Sequence, residues 1–126
     1  MVYPEGKRTE VKGAEPMNQE LEMQAMDFAI HVAELVKYLR EEGGNFPLCD
    51  RLLTAATGLG CDCRAWSREG SGRVLGRALL LTEEIDYVLE IALRAGYLND
   101  KQSRPIREDC KRLRRQLETC AREIRE

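Results

Sequence analysis

Few residues of this chain could do chemistry, and their spacing does not favour it. Cys61-Asp62-Cys63 brackets a carboxylate with two thiols, the raw material of a thiolate metal site. Alternate residues on a helix point about 200° apart, so these sulfurs cannot share a tetrahedral ion unless nearby glycines unwind the segment. His31 is the only histidine, and no CxxC pair completes a ligand set. A nucleophile–base pair would need His31 to meet a Ser or Cys from elsewhere, and no spacing singles one out. Gly70-Ser71-Gly72 has the glycines of a phosphate-binding turn but neither its lysine nor a preceding strand. The expectation is therefore a protein without catalytic, metal-ligating or cofactor-binding residues, and not an enzyme.

Charge is better organised. Residues 101–126 hold nine Lys or Arg against five Asp or Glu, whereas residues 1–100 hold eleven against seventeen, for a net charge of −2. At about 100° per residue, Arg104, Arg107, Lys111, Arg114, Arg115, Arg122 and Arg125 share roughly a third of a helix circumference, with Glu118 among them. Two readings stand side by side. The ridge is a solvated face, with Glu118–Arg122 and Glu108–Arg112 as i,i+4 pairs and other arginines meeting acids such as Glu83, Asp86 and Glu90. Alternatively it contacts the phosphates of a nucleic acid. No aromatic residue interleaves the ridge, so such binding would be backbone-directed and salt-sensitive.

The elements that would carry these residues are legible from apolar spacing. Leu21, Ala25, Phe28, Val32, Leu35 and Leu39 fall on one helix face. So do Leu48, Leu52, Ala55, Leu59, Cys63 and Trp66; then Val74, Ala78, Leu81, Ile85, Val88 and Ala92; then Ile106, Cys110, Leu113, Leu117, Cys120 and Ile124. Four such stripes joined by short connections predict an all-α fold, an antiparallel up-down four-helix bundle. Residues 1–16 read as a disordered leader and 17–126 as the bundle, with helices at about 18–42, 47–67, 71–96 and 100–125. Asn18 is the expected N-cap of the first and Ser71 of the third. Pro105 should lie in the first turn of a fourth helix whose regular part begins near Ser103. Gly58 and Gly60 interrupt the second stripe at about 1 kcal/mol each, which suggests a neighbouring helix passing close or a kink.

At 126 residues, 33% charged and 6% aromatic, the chain fits one domain with one core. Five cysteines, several within helical periodicity, read as reduced thiols in a cytoplasmic protein. Nothing resembles a secretory signal, and no apolar run approaches the ~20 residues that span a bilayer, so no membrane partner is expected. Opposite the first stripe lie Met23, Met26, Ile30 and Ala33; the third helix carries Leu80, Tyr87 and Ile91 away from its stripe. These are either scattered exposed apolar residues, which are common, or the interface of a homo-oligomer. Trp66 and Tyr97 read as core or interface anchors.

A family resemblance adds to this. The run Leu48, Asp50, Arg51, Leu52, Leu53, Thr54, Ala55, Ala56, Thr57, Gly58, Leu59, Gly60, Cys61, Asp62 resembles L-x-x-Q-L-L-R-S-G-T-S-I-G-A-N-x-x-E-A. That pattern marks the small bacterial four-helix-bundle proteins whose genes were first noticed inside intervening sequences of large-subunit ribosomal RNA genes. Phe28-Ala29, Val32, Leu35 and Lys37-Tyr38-Leu39 are similar to the family's first helix. Ala78, Thr82, Glu84, Tyr87, Leu89 and Gly96-Tyr97-Leu98 are similar to its third helix and following turn; Asp109-Cys110 and Leu113 echo the fourth. The resemblance implies an up-down bundle, often a ring of subunits, commonly five, with no established enzymatic activity. A sister group, the accessory proteins of diversity-generating retroelements, forms basic rings that bind a reverse transcriptase and nucleic acid. This chain differs from the family at Asp62, where Asn is usual, at Arg64-Ala65, where acids are common, and at Trp66, where a small residue stands. It differs from the accessory rings in being acidic. The leading expectation is a non-enzymatic homo-oligomeric scaffold or accessory subunit. The alternative is a nucleic-acid or reverse-transcriptase-binding accessory protein that uses the helix-four ridge.

Overall fold

The computed structural model describes residues 16–125, so the expected leader lies outside the described residues except for Pro16. Four helices follow in order: α1 Pro16–Glu41, α2 Cys49–Glu69, α3 Gly72–Arg94 and α4 Asp100–Arg125. No strand occurs among the described residues. α1 packs on α2, α2 on α3, α3 on α4, and α4 returns to α1, leaving α1 diagonal to α3 and α2 diagonal to α4. The chain is an all-α four-helix bundle. Among the described residues no helix is long and apolar enough to cross a membrane.

The four stripes meet in one core that includes Phe28, Leu39, Leu52, Leu59, Ile85, Leu113 and Leu117. Several positions at the borders of the stripes depart from the sequence expectation. Val36 is buried in α1 where Leu35 was expected, and Leu35 packs at the margin. In α3 the buried face widens to take in Leu75, Thr82 and Leu89, while Leu81 moves to the edge. Ile124 stays 48% exposed, with its Cδ1 beside Gly72 at the start of α3. A stripe read at 3.6 residues per turn fixes the middle of a buried arc better than its borders.

The helix ends explain the remaining differences. α1 begins at Pro16 rather than at Asn18; proline's fixed φ and missing N–H suit a first helical position. α4 begins at Asp100, so Pro105 lies inside the helix rather than in its first turn. The turn ahead of it is held by a reciprocal cap: Gln102 N–H donates to Asn99 Oδ1 and Asn99 N–H to Gln102 Oε1, both at 2.8 Å. The carbonyl that proline leaves without a helical partner belongs to Lys101, an exposed residue, where water can serve it. Ser71 caps α3, accepting from the Arg73 N–H at 3.3 Å. At the end where α1 meets α2 and α3 meets α4, Phe46 and Tyr97 pack with ring centroids 4.9 Å apart. Gln102 Nε2 also donates to Tyr38 Oη there, at 3.1 Å. The Gly96-Tyr97-Leu98 turn thus works in three parts: Gly96 takes φ 89°, Tyr97 covers Phe46, and Leu98 enters the core.

The two glycines of α2 do not break it, since the helix runs through them from Cys49 to Glu69. Gly58 makes room for Leu81 of α3, whose Cδ1 would lie 3.2 Å from an added Cβ. Gly60 faces the Ala25 carbonyl of α1 at 4.0 Å, an ordinary contact distance. Close approach, not a kink, accounts for Gly58, and Gly60 has space to spare. Gly60→Ala should therefore raise stability by about 0.5–1 kcal/mol through helix propensity. Gly58→Ala should gain less, because Leu81 has to give way. Urea unfolding of both variants at one protein concentration checks the order.

Candidate functional site

The basic ridge of α4 divides in two. Arg107 is tied to α3: its Nε and an Nη lie 2.9 and 3.2 Å from the two oxygens of Asp86, with Glu90 at 3.6 Å. Its side chain is only 20% exposed, and the Asp86 hydrogen bonds push its already high pKa further up. Arg114 reaches Glu83 of α3 at 3.0 Å and Glu118 on its own helix at 3.6 Å. Arg104 pairs with Asp100, one turn earlier. Arg122 donates to Thr119 Oγ1 at 3.2 Å. Lys111 and Arg115 are exposed and have no ion-pair partner among the described residues. With Arg114 and Glu118 they line a shallow depression of about 290 Å³. The expected i,i+4 pairs are replaced: Glu118 pairs with Arg114 rather than Arg122, and Arg112 pairs with Asp109 at 2.7 Å rather than with Glu108.

The apolar outer faces are present on both diagonal helices. Met23, Met26 and Ile30 on α1 are 67%, 46% and 47% exposed, and Leu80 and Tyr87 on α3 are 71% and 68% exposed. Ala33 is exposed beside the α1 group. Ile91 differs, being half-buried against the core and lending only an edge to the α3 face. Tyr87 and Ile91 line an open hollow of about 400 Å³ with Glu90, Arg94 and Ala95. A second groove of about 250 Å³ runs between α1 and α2, lined by Met26, Ala29, Thr57, Gly60 and Cys61 with Glu22 and Arg64 at its rim.

The chemical candidates are dispersed. Because α2 remains helical through Gly58 and Gly60, Cys61 is exposed while Cys63 is fully buried. Among the described residues no group of three or more His, Cys, Asp or Glu could hold a metal ion. His31 lies at the α1–α4 seam, its Nδ1 4.0 Å from Asp109 Oδ2. The cleft there, about 220 Å³, is lined by Gln24, Asp27, Phe28, His31, Asp109, Arg112 and Leu113, and it offers neither Ser nor Cys. Trp66 is a core residue.

One arrangement was invisible in the sequence reading. Asp62 is buried between α2 and α3, and Arg77 closes over it with hydrogen bonds of 2.5 and 3.4 Å. A carboxylate out of water needs such a partner, and Arg77 supplies the cation from the next helix. The signal available was Arg77 itself, on the flank of the third stripe.

Burial pushes the Cys63 and Cys110 thiols up to about 12, helped by Asp62 and Asp86 respectively. Burial also raises Cys49 and Cys120. A thiol held protonated is a poor nucleophile and a poor metal ligand.

No protein-family model matches the chain, and no curated protein does. Among solved structures, the bundle is similar to the crystal structure of a protein of unknown function from the S23 ribosomal protein family of Bacteroides thetaiotaomicron. The TM-score is 0.79 at 23% identity, over 84% of this chain and 98% of that one. At that identity the likeness shows the fold.

Thiol accessibility gives a direct check on these placements. At about pH 8 a thiol reagent should label Cys61 in the folded protein, and the other four cysteines only on unfolding. Stoichiometry with and without denaturant reads this out.

Proposed function

We propose that this chain is a non-enzymatic, homo-oligomeric helical-bundle scaffold or accessory subunit for another macromolecule, working in the cytoplasm. The observation that carries the reading is the large apolar side chains left in water on the backs of α1 and α3, Met23, Met26, Ile30, Leu80 and Tyr87. Single exposed apolar residues are common, but here they recur along one side of each of two helices. The resemblance to the rRNA intervening-sequence family supports a ring, commonly of five subunits, as the assembled form. At micromolar concentration, sedimentation or light scattering should give a mass of several chains. A monomer at that concentration would remove this reading.

A second reading is favoured by one observation: Lys111 and Arg115 remain exposed and uncommitted on a helix with nine bases and five acids. In it the protein is an accessory subunit that binds nucleic acid, or a reverse transcriptase together with its nucleic acid, through phosphate contacts. The division of the ridge sets the test. Lys111→Ala with Arg115→Ala should flatten the salt dependence of binding to generic RNA and duplex DNA while leaving stability unchanged. Arg107→Ala should instead lower stability by about 1–2 kcal/mol, since it strips Asp86 of its partner. No binding at low salt would exclude this second reading.

A further inference from the structure

We propose that the back of α1 is a docking seam for one further helix, an amphipathic segment of another protein whose apolar row is bordered by Lys or Arg. The inference deepens the accessory-subunit reading above and gives the α1 back to the other macromolecule. Met23, Met26, Ile30 and Ala33 alternate in steps of three and four, the spacing by which one helix packs along another in a coiled coil. All four are exposed, while the opposite side of α1 buries Leu21, Phe28, Val32 and Leu39 in the bundle. α1 is therefore apolar on two sides, and its own bundle covers one of them.

The borders of the seam say what kind of helix fits. On one side Glu20, Asp27, Glu34 and Glu41 recur every seven residues, at the position that flanks a coiled-coil contact. All four are exposed, and none forms an ion pair among the described residues. On the other side Met26 and Ala29 open into the groove over Thr57, Gly60 and Cys61 of α2. An added Cβ on Gly60 would meet nothing nearer than the Ala25 carbonyl at 4.0 Å, so the groove has room for an incoming side chain. A helix laid here finds an acidic column along one edge and an apolar trough along the other. Bases at every seventh residue of that helix would answer the acids.

This chain does not carry such a helix itself. α1 against α1 offers the acidic column no basic one. Leu80 and Tyr87 of α3 have Glu83 and Glu84 between them. α4 has the bases, but among the described residues its one large exposed apolar side chain is Ile124, in the last turn. α2 exposes no large apolar side chain. An exposed apolar row with basic borders must therefore come from a different protein.

The probe is a synthetic peptide of three heptads with Leu at the two core positions and Lys at the two flanking ones; the control peptide has Glu in place of Lys. The full chain should bind the Lys peptide with a gain in helicity and leave the Glu peptide free. Ile30→Glu should weaken that binding by about tenfold or more without changing the mass of the wild-type assembly, and Leu80→Glu should leave it unaltered. Asp27→Lys combined with Glu34→Lys should reverse the preference, so that the Glu peptide binds and the Lys peptide does not. Failure to bind the Lys peptide, equal binding by Ile30→Glu, loss of binding in Leu80→Glu, or an unreversed preference overturns the inference. So does a fall of Ile30→Glu from an assembled wild type to a monomer, which would put a second copy on the seam. If wild-type protein assembles but ignores the Lys peptide, this contact fails while self-assembly stands. A monomeric wild type that binds the Lys peptide removes self-assembly and upholds the contact.

Discussion

Each helix of this protein carries one apolar stripe that only its neighbours can cover, and the joint burial of those stripes is the constraint on which everything else depends. Fully burying a Leu, Ile or Phe side chain contributes about 1.5–3 kcal/mol, whereas an exposed ion pair contributes about 0–1 kcal/mol. The core therefore sets where the helices lie, and the charges adjust to that placement. Gly58 shows the order of precedence within α2: helix propensity is given up so that Leu81 can pack from α3.

The charged residues complete the bundle at its seams. Arg77 over Asp62 and Arg51 with Glu84 join α2 to α3, Arg64 with Glu22 joins α1 to α2, and Arg107 with Asp86 joins α3 to α4. The basic bias of α4 is thus partly a structural device. Arginine suits it, because its planar fork can meet both oxygens of a carboxylate on a neighbouring helix. What remains free after these seams are closed is a smaller set of bases and two apolar backs, and those are the surfaces available to a partner.

The groups that could do chemistry are kept apart by the same packing. The buried thiols are held protonated, the exposed one stands apart from them, and the sole histidine faces a carboxylate at an open seam. The hollow of about 400 Å³ beside Tyr87 and Ile91 is an open depression on the back of α3.

The helices, their order and most of the core were legible in the sequence, because a 3.6-residue repeat of apolar side chains is a local property that neighbours do not alter. The borders of each stripe were not: whether Leu35 or Val36 is covered depends on how α1 turns about its axis when α2 and α4 close on it. The start of α4 was half legible: Pro105 pointed to a regular helix from near Ser103, whereas the reciprocal bonds of Asn99 and Gln102 start it at Asp100. For the candidate site the sequence supplied the members of the basic ridge and of the two apolar backs. Only the tertiary structure decided that Arg107 and Arg114 spend their charge on α3 while Lys111 and Arg115 do not. A hydrogen-bonded ion pair needs its groups within about 4 Å, and the acids that claim those arginines are distant along the chain and adjacent only in the folded bundle.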